Sequence, residues 1–315
     1  MSISPLPKPP LRTSRTHPRS VLVTGAGRGI GRAISSRLAQ SGWDVYAGVR
    51  TDAAAHELAA ESDRITPVTL DVTDDEHIRA LGDVLPARLD ALVNNAGIAV
   101  PGPVETLDRA AMHHQFDVNL IGPLAVTRAV LPRIRAAGTG RIIFISSLNG
   151  RVSFPFTGMY NASKFAVEAI ADCLRVELQP WGIRVVLIEP GVIDTDPWHE
   201  MEDLIAEVET GMTPDHRALY AQHLAGEREI IDKLRRGAAP PDTVARAVER
   251  ALTSRRPSAR VPVGRDARML LAMSAMLPAK GLDAVWVRGL GLGEPPIAMQ
   301  TGQDETQTDV ALGSG

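Results

Sequence analysis

Short apolar runs alternate with longer amphipathic segments along most of this sequence, and this alternation limits the possible folds more than any other feature. The apolar runs occupy residues 21–23, 43–49, 65–70, 91–93, 141–145, 184–188 and 260–263. The segments with helical periodicity occupy residues 30–41, 53–60, 75–85, 107–137, 158–180 and 241–253. Strands that alternate with helices form parallel sheets, and continuous apolar runs suit strands that helices cover on both faces. We therefore predict an α/β fold with a doubly wound, mostly seven-stranded parallel sheet and helices on both faces.

The two ends of the chain lack this pattern. Residues 1–18 combine prolines and basic residues without the apolar core of a secretory signal, and we expect them to be a disordered leader. Residues 293–315 are rich in Pro, Gly, Gln, Thr and Asp, so we expect a disordered tail. Residues 19–292 are predicted to form one domain.

Two regions inside this domain also depart from the alternation. Residues 194–239 mix apolar and charged residues and are predicted to form a helical excursion that acts as a lid over the substrate. Residues 268–292 form an apolar C-terminal extension that Pro278 and several charges interrupt before a membrane-spanning length accumulates. Whether this extension touches a membrane stays open at this stage.

The composition excludes several classes of protein. With 44% hydrophobic and 23% charged residues, the chain can bury a core. A formal net charge of −3, with cations scattered along the chain, provides no footprint for nucleic acid. Cys173 is the single cysteine, so no internal disulfide can form; we expect it to be a small buried residue in a reducing, cytoplasmic setting.

A glycine-rich segment joins the first predicted strand to the first predicted helix. It reads TGAGRGIG over residues 24–31. Glycines in this context let the backbone turn tightly and approach a pyrophosphate, while free N–H groups at the start of the helix point at the anion. The segment therefore predicts a dinucleotide-binding site in a Rossmann-type sheet.

The spacing of Gly25, Gly29 and Gly31 resembles the T-G-x-x-x-G-x-G motif of the short-chain dehydrogenase/reductase family. The other motifs of that family follow in order at Asp71, Asn94-Asn95-Ala96-Gly97, Asn119, Ser147, Tyr160, Lys164, Pro190-Gly191 and Thr195. The resemblance covers residues 19–263, and the sequence around Tyr160 is similar to the hydroxysteroid and retinol dehydrogenase branch.

The resemblance implies a catalytic set made of Asn119, Ser147, Tyr160 and Lys164. Tyr160 and Lys164 lie four residues apart and share a helix face, so the ammonium can act on the phenol. We expect this charge to lower the tyrosine pKa from its ordinary value near 10. By the resemblance, Tyr160 exchanges the proton that accompanies hydride transfer, Ser147 bonds the substrate oxygen, and Asn119 holds a water linked to Lys164.

NADP(H) is the expected cofactor, on an argument from charge. NAD-specific sites place a carboxylate at the end of the second strand, where this sequence has Val49 followed by Arg50. Arg50, together with Arg28 in the glycine-rich segment, suits a 2′-phosphate. Because Asp52 is near enough to serve as a ribose ligand, NAD(H) is the alternative.

The remaining cofactor contacts follow from the resemblance and are spread over most of the domain. The full expected set is Gly25, Arg28, Gly29, Ile30, Gly31, Arg50, Asp71, Val72, Asn95, Ala96, Gly97, Tyr160, Lys164, Pro190, Gly191, Ile193 and Thr195. No metal site is expected, since His113 and His114 are adjacent and point about 100° apart on a helix.

The expected substrate is a bulky hydrophobic alcohol or ketone of steroid, retinoid or long-chain type. Apolar residues are frequent in the three segments expected to form the walls, residues 98–103, 148–157 and 194–239. Two alternatives remain: reduction of a 3-oxoacyl thioester, and a dinucleotide-binding sensor without catalysis. Assembly into a homodimer or homotetramer is the habit of the family.

Overall fold

The computed structural model describes residues 18–195 and 200–290, so most of the predicted leader and all of the predicted tail lie outside the described residues. The described chain contains the predicted seven-stranded sheet, all parallel, in the order β3-β2-β1-β4-β5-β6-β7. The strands are β1 Ser20–Val23, β2 Asp44–Val49, β3 Ile65–Thr69, β4 Ala91–Asn94, β5 Gly140–Ile145, β6 Ile183–Pro190 and β7 Arg260–Val263. The strand order reverses between β1 and β4, and this reversal opens a crevice at their carboxyl ends.

Helices connect the strands and cover both faces of the sheet. In the first part of the chain they are α1 Gly29–Gln40, α2 Asp52–Glu61, α3 Asp75–Val84, α4 Arg109–Phe116, α5 Gly122–Ala136 and α6 Gly158–Glu177. After β6 they are α7 Met201–Gly211, α8 Pro214–Arg235, α9 Pro241–Thr253, α10 Arg265–Met276 and α11 Ala279–Gly289. The fold class predicted from the sequence is confirmed.

Two hydrophobic cores lie on opposite faces of the sheet, because successive side chains of a strand point to opposite faces. On β1, Val21 and Val23 belong to the core that α1 and α9 cover, whereas Leu22 belongs to the core under α3, α5 and α6. All three side chains are fully buried. Their burial on both faces explains why the sequence shows continuous apolar runs rather than alternation.

The segment 107–137 is not the single helix that its periodicity predicts. A 3-10 turn spans Val104–Thr106, and α4 begins at Arg109 after Asp108, whose carboxylate caps it by accepting from the Ala111 amide at 2.7 Å. A π-helical turn, Asp117–Ile121, then separates α4 from α5. A π turn shifts the helical register over only five residues here, which is too short a stretch for periodicity alone to reveal it.

The helix that carries the tyrosine is shorter than predicted, and the cysteine on it is not buried. Helix α6 ends at Glu177, and Pro180 lies in a 3-10 turn, Gln179–Trp181, closed by Gly182 at φ +66°. Cys173 lies on this helix and is exposed, so the expectation that it is buried was wrong. Cys173 lies on the solvent-facing side of the helix. The expectation rested on the apolar character of cysteine, which does not determine the side of the helix on which the residue lies.

The region 194–239 is helical after its first residues, as α7 and α8. These helices share a small apolar cluster around Ile205, Met212 and Leu224. They are tied to the rest of the domain at the 3-10 turn before α4, where the Tyr220 hydroxyl donates to Glu105 at 2.5 Å.

The C-terminal extension folds as α10 and α11. Trp286 on α11 packs against Phe154 with ring centroids 4.6 Å apart. Among the described residues, no helix is both long enough and apolar enough to cross a bilayer.

Candidate active site

The glycine-rich turn lies at the carboxyl end of β1 and leads directly into α1. Gly25 and Gly29 adopt φ angles of +63° and +54°, where side chains with a Cβ are strained. A Cβ at Gly31 would lie 2.1 Å from the Gly25 carbonyl oxygen. The turn is therefore closed around backbone atoms, and it leaves the first amides of α1 free for an anion.

Asn95 holds this turn from the neighbouring strand. Its Nδ2 donates to the carbonyl oxygens of Thr24 at 2.9 Å and Gly25 at 3.0 Å. In return, the Thr24 hydroxyl accepts from the backbone amides of Asn95 and Ala96, both at 3.0 Å. Thr24 belongs to the glycine-rich motif but was not among the predicted site residues. Asn95 thus shapes the cofactor crevice through its side chain by fixing the turn.

Asp71 and Arg50 lie at the ends of two neighbouring strands. The Asp71 Oδ1 accepts from the Thr73 amide at 2.9 Å and from the Thr73 hydroxyl at 2.7 Å. Burial opposes ionisation of Asp71, but these bonds and the charge of Arg50 outweigh it and lower its pKa. Arg50 is exposed, and Val72 is buried against Gly122 at the start of α5.

Arg28, the second cation predicted for a 2′-phosphate, makes an ion pair in this structure. Its Nη1 lies 2.5 Å from the Glu200 carboxylate, just before α7. Both side chains are about half exposed. Arg28 therefore links the glycine-rich turn to the region 194–239, a contact between residues far apart in the sequence.

Tyr160 and Lys164 project from the first turns of α6, as predicted. Tyr160 is half-buried; its pKa is raised by burial, which outweighs the hydrogen bond to Ser147 that lowers it. Burial thus acts against the lowering of the tyrosine pKa that was expected from Lys164. The Lys164 Nζ lies 5.7 Å from the centre of the tyrosine ring and donates to the Ile145 carbonyl at 2.9 Å. Burial lowers the pKa of Lys164 to about 8, although the charge of Glu168 opposes the shift.

A chain of amides positions Ser147 beside the tyrosine. The serine Oγ accepts from the Asn149 amide at 3.1 Å, and the Asn149 side chain donates to Asn161 on α6 at 2.7 Å. Asn161 in turn donates to the Phe154 carbonyl at 2.7 Å. Motif spacing did not identify Asn149 or Asn161, because their role depends on contacts between the loop and the helix.

Asn119 lies in the π turn, buried next to Lys164 and Gly97. Its side chain accepts from the Ile98 amide at 2.8 Å and donates to the Ile98 carbonyl and to Ser163, at 2.9 and 3.1 Å. The amide group is thus committed to fixing the segment after β4.

The segment after β6 carries three residues of the predicted cofactor site, Gly191, Ile193 and Thr195, and brings Thr195 to the glycine-rich turn. The methyl carbon of Thr195 is 3.3 Å from where a Cβ at Gly29 would lie, so this threonine flanks the glycine-rich turn. Ile193 is buried and pairs with Ala239 in an isolated bridge.

Asp266 at the start of α10 holds this segment in place. Its Oδ2 accepts from the Val192 amide at 2.7 Å, and a Cβ at Gly191 would collide with that oxygen. The sequence reading missed Asp266, because a contact over 74 residues leaves no local pattern.

An apolar groove of about 520 Å³ lies beside the loop between β5 and α6. This loop, residues 146–157, carries Ser147 and is called the catalytic loop below. Phe154, Phe156, Phe165 and Trp286 are among its lining residues, whereas Tyr160 and Ser147 are not. Asn161 lines the groove as well and connects it to the serine through Asn149. The groove is therefore adjacent to the predicted reaction centre rather than part of it. Within the described ranges, no cluster of three or more metal-ligating side chains occurs.

A parallel doubly wound sheet, a glycine turn at the strand reversal and a Ser, Tyr and Lys set beside it define a nucleotide-dependent oxidoreductase. The family model for short chain dehydrogenases matches residues 19–204. The chain belongs to the short-chain dehydrogenase family, and it resembles retinol dehydrogenases within it.

Three comparisons illustrate this membership. The chain is 31% identical over 277 residues to the uncharacterized oxidoreductase YbbO of Escherichia coli, covering 87% of this chain and 96% of that protein. It is 35% identical over 299 residues to human retinol dehydrogenase 5, covering 88% and 92%. A short chain dehydrogenase from Burkholderia cenocepacia, solved in complex with NADP, superposes with a TM-score of 0.67 at 26% identity, covering 86% and 98%.

Proposed function

We propose that the protein is an NADP(H)-dependent oxidoreductase that interconverts an alcohol and its carbonyl on a bulky hydrophobic substrate. The observation that carries the cofactor proposal is Arg50, an exposed guanidinium directly after β2. Among the described residues, Arg50 makes no ion pair. Its charge acts on Asp71, but that carboxylate accepts its hydrogen bonds from Thr73 and not from Arg50. An arginine with free donors at this place suits a 2′-phosphate.

The residues of the crevice fit a nicotinamide dinucleotide. The turn at Gly25, Gly29 and Gly31 packs closely on protein atoms and leaves the first amides of α1 for a pyrophosphate, with Thr195 beside Gly29. The bound cofactor would supply or accept the hydride. Tyr160, with its raised pKa, is a proton donor suited to the developing alkoxide, and Ser147 would hold the same oxygen.

The substrate proposal rests on the aromatic and apolar side chains next to the predicted reaction centre. Phe156 packs edge to face against Tyr220, with ring centroids 6.5 Å apart. This aromatic contact joins the catalytic loop to α8. Similarity to retinol dehydrogenase 5 points in the same direction. A large apolar alcohol, aldehyde or ketone fits these surfaces better than a small polar one.

The cofactor experiment compares kcat/KM for NADPH and NADH in the wild type and in Arg50→Ser. We expect NADPH to be preferred, and the variant to lose about tenfold or more with NADPH and little with NADH, since one charge-assisted bond to phosphate is removed. Arg64→Ser is the matched control, because Arg64 is exposed and paired with Asp44 at 2.8 Å, before β3. Preference of the wild type for NADH would contradict the role given to Arg50.

The substrate experiment screens steroid, retinoid and long-chain alcohols and ketones beside short polar ones, with both cofactors. Turnover confined to the large apolar compounds supports the proposal. Turnover of short polar compounds alone contradicts the proposed substrate class, and no turnover with either cofactor contradicts the proposed activity.

A further inference from the structure

A group of charged side chains, of which Glu168 and Glu189 are buried, lies behind Lys164, outside the set that the family motifs identify. Glu168 follows Lys164 by one turn of α6 and is 5% exposed. Its Oε2 accepts from the Arg260 Nε on β7 at 2.8 Å. The same guanidinium donates from Nη2 to Asp172 at 2.7 Å, one further turn along the helix. Arg260 therefore fixes the position of the Glu168 carboxylate.

A second carboxylate shares this arginine. Glu189 on β6 is fully buried. Its Oε1 lies 3.4 Å from the Arg260 Nε and 3.2 Å from the Arg151 guanidinium. Burial and the charge of Glu168 raise the pKa of Glu189, while the two arginines oppose the shift. The shorter contact of the arginine goes to Glu168, the carboxylate that is nearer in sequence to Lys164.

Lys164 needs such a neighbour because of its burial. It is 6% exposed, and its Nζ donates to a neutral acceptor, the Ile145 carbonyl. A buried ammonium loses its proton readily unless an opposite charge compensates for the lost water. Glu168 is buried one turn further along the same helix, and its charge opposes the lowering of the Lys164 pKa by burial.

Glu168 and the backbone of Lys164 pack closely against the loop that carries Ser147. A Cβ at Gly150, three residues after Ser147, would lie 3.0 Å from the Glu168 Cγ and 3.1 Å from the Lys164 carbonyl oxygen. A glycine there lets the catalytic loop seat directly on this turn of α6. In such a low-dielectric setting a single charge has a larger effect than it has at the surface.

We propose that Glu168 is a positioning residue whose carboxylate, held by Arg260, keeps the Lys164 ammonium charged beside Tyr160. This inference rests on the proposed function, since it assigns Glu168 a part in the same proton exchange. Glu168 contacts neither substrate nor cofactor in this role, and no proton passes through it. The other charged groups around Glu168 are Asp172 on its own helix, Glu189 on β6, Arg260 on β7 and Arg151 in the catalytic loop.

The first measurement follows Lys164 directly, without substrate or cofactor. The chain has four lysines, so selective carbon labelling of lysine gives few NMR signals, and Lys164→Met identifies the one of interest. In Glu168→Gln the titration of Lys164 should move to lower pH by about one unit, the size expected from one nearby charge. Asp172→Asn is the matched control: it also removes a partner of Arg260 but should leave the titration unchanged.

The second measurement is the pH profile of alcohol oxidation. Glu168→Gln should lose about tenfold in kcat/KM at alkaline pH and little at acidic pH, because the lysine is charged in both proteins below the lowered pKa. Damage to the fold would instead lower the rate at every pH. Asp172→Asn should keep the wild-type profile.

An unchanged Lys164 titration in folded Glu168→Gln overturns the inference, whatever the activity. Should that variant fail to fold, Glu168→Asp replaces it: a smaller shift in the same direction supports the inference, and no shift overturns it. A wild type that turns over no alcohol or carbonyl compound contradicts the proposed function, while the NMR titration still decides the role of Glu168.

Discussion

Asp266 accepts a hydrogen bond at 2.7 Å from the backbone amide of Val192, and this bond joins the start of α10 to the segment that follows β6. That segment carries Thr195 to the side of the glycine-rich turn. Helix α10 thus supports this segment, although it lies outside the region 19–204 that the family model matches.

Replacing Asp266 should therefore weaken cofactor binding. Asp266→Ala leaves the Val192 amide without its charged partner, so we expect the free energy of unfolding to fall by about 1.5–3 kcal/mol and the KM for NADPH to rise about tenfold. Denaturant unfolding and steady-state kinetics measure the two effects. Asp283→Asn, an exposed change on α11, is the control, and an unchanged KM for NADPH in Asp266→Ala would contradict the role given to this bond.

Tyr160 and Lys164 should respond differently to removal. Tyr160→Phe keeps the ring but removes the proton donor, so turnover should fall below about one thousandth of the wild-type rate while NADPH affinity stays within about twofold. Lys164→Ala should reduce both turnover and affinity, since it also removes a charge from the crevice. Single-turnover kinetics and fluorescence titration with NADPH separate the two effects. An active Tyr160→Phe variant would disprove the proposed mechanism.

The glycine-rich turn provides a test with an internal control. A Cβ at Gly31 would lie 2.1 Å from the Gly25 carbonyl oxygen. Gly31→Ala should therefore force the turn apart and abolish detectable NADPH binding. Gly82, inside α3, has open space where a Cβ would stand. Gly82→Ala should stabilise the protein by roughly 0.5–1 kcal/mol without affecting NADPH binding. Calorimetric titration and thermal unfolding report both outcomes, and NADPH binding at wild-type strength in Gly31→Ala would be the contrary result.

Glu227 on α8 should make stability depend on pH near neutrality. It is 7% exposed, and burial raises its pKa from 4.5 to about 7, with Arg228 opposing the shift. The stability that protonated Glu227 contributes is complete below the unfolded pKa and is lost as the pH rises through about 7. Glu227→Gln stays neutral, so its advantage over the wild type should grow to about 2–4 kcal/mol above that pH.

Urea unfolding of both proteins at about pH 5 and pH 8 tests this difference. Glu229→Gln is the control, because Glu229 lies on the same helix but is exposed and paired with Lys233 at 2.6 Å. Its effect on stability should be the same at both pH values. A Glu227→Gln advantage that does not change with pH would show that the carboxyl is not protonated in the folded state.

The sequence by itself determined the strands and helices, the glycine turn and the order of the motifs, because these follow from local periodicity and backbone requirements. The seven apolar runs became the seven strands, and Gly25 and Gly29 adopt the positive φ angles that a tight turn requires. The serine, tyrosine and lysine of the predicted catalytic set meet at the carboxyl ends of the strands.

Only the tertiary structure decided what each polar side chain touches. The π turn at Asn119, the pairing of Arg28 with Glu200, the bond from Val192 to Asp266 and the charges behind Lys164 all depend on contacts between distant segments. Burial raised the pKa of Tyr160, where charge alone predicted the opposite. Hydrogen bonds and desolvation act over a few ångströms in space, and no spacing along the chain reports which groups come that close.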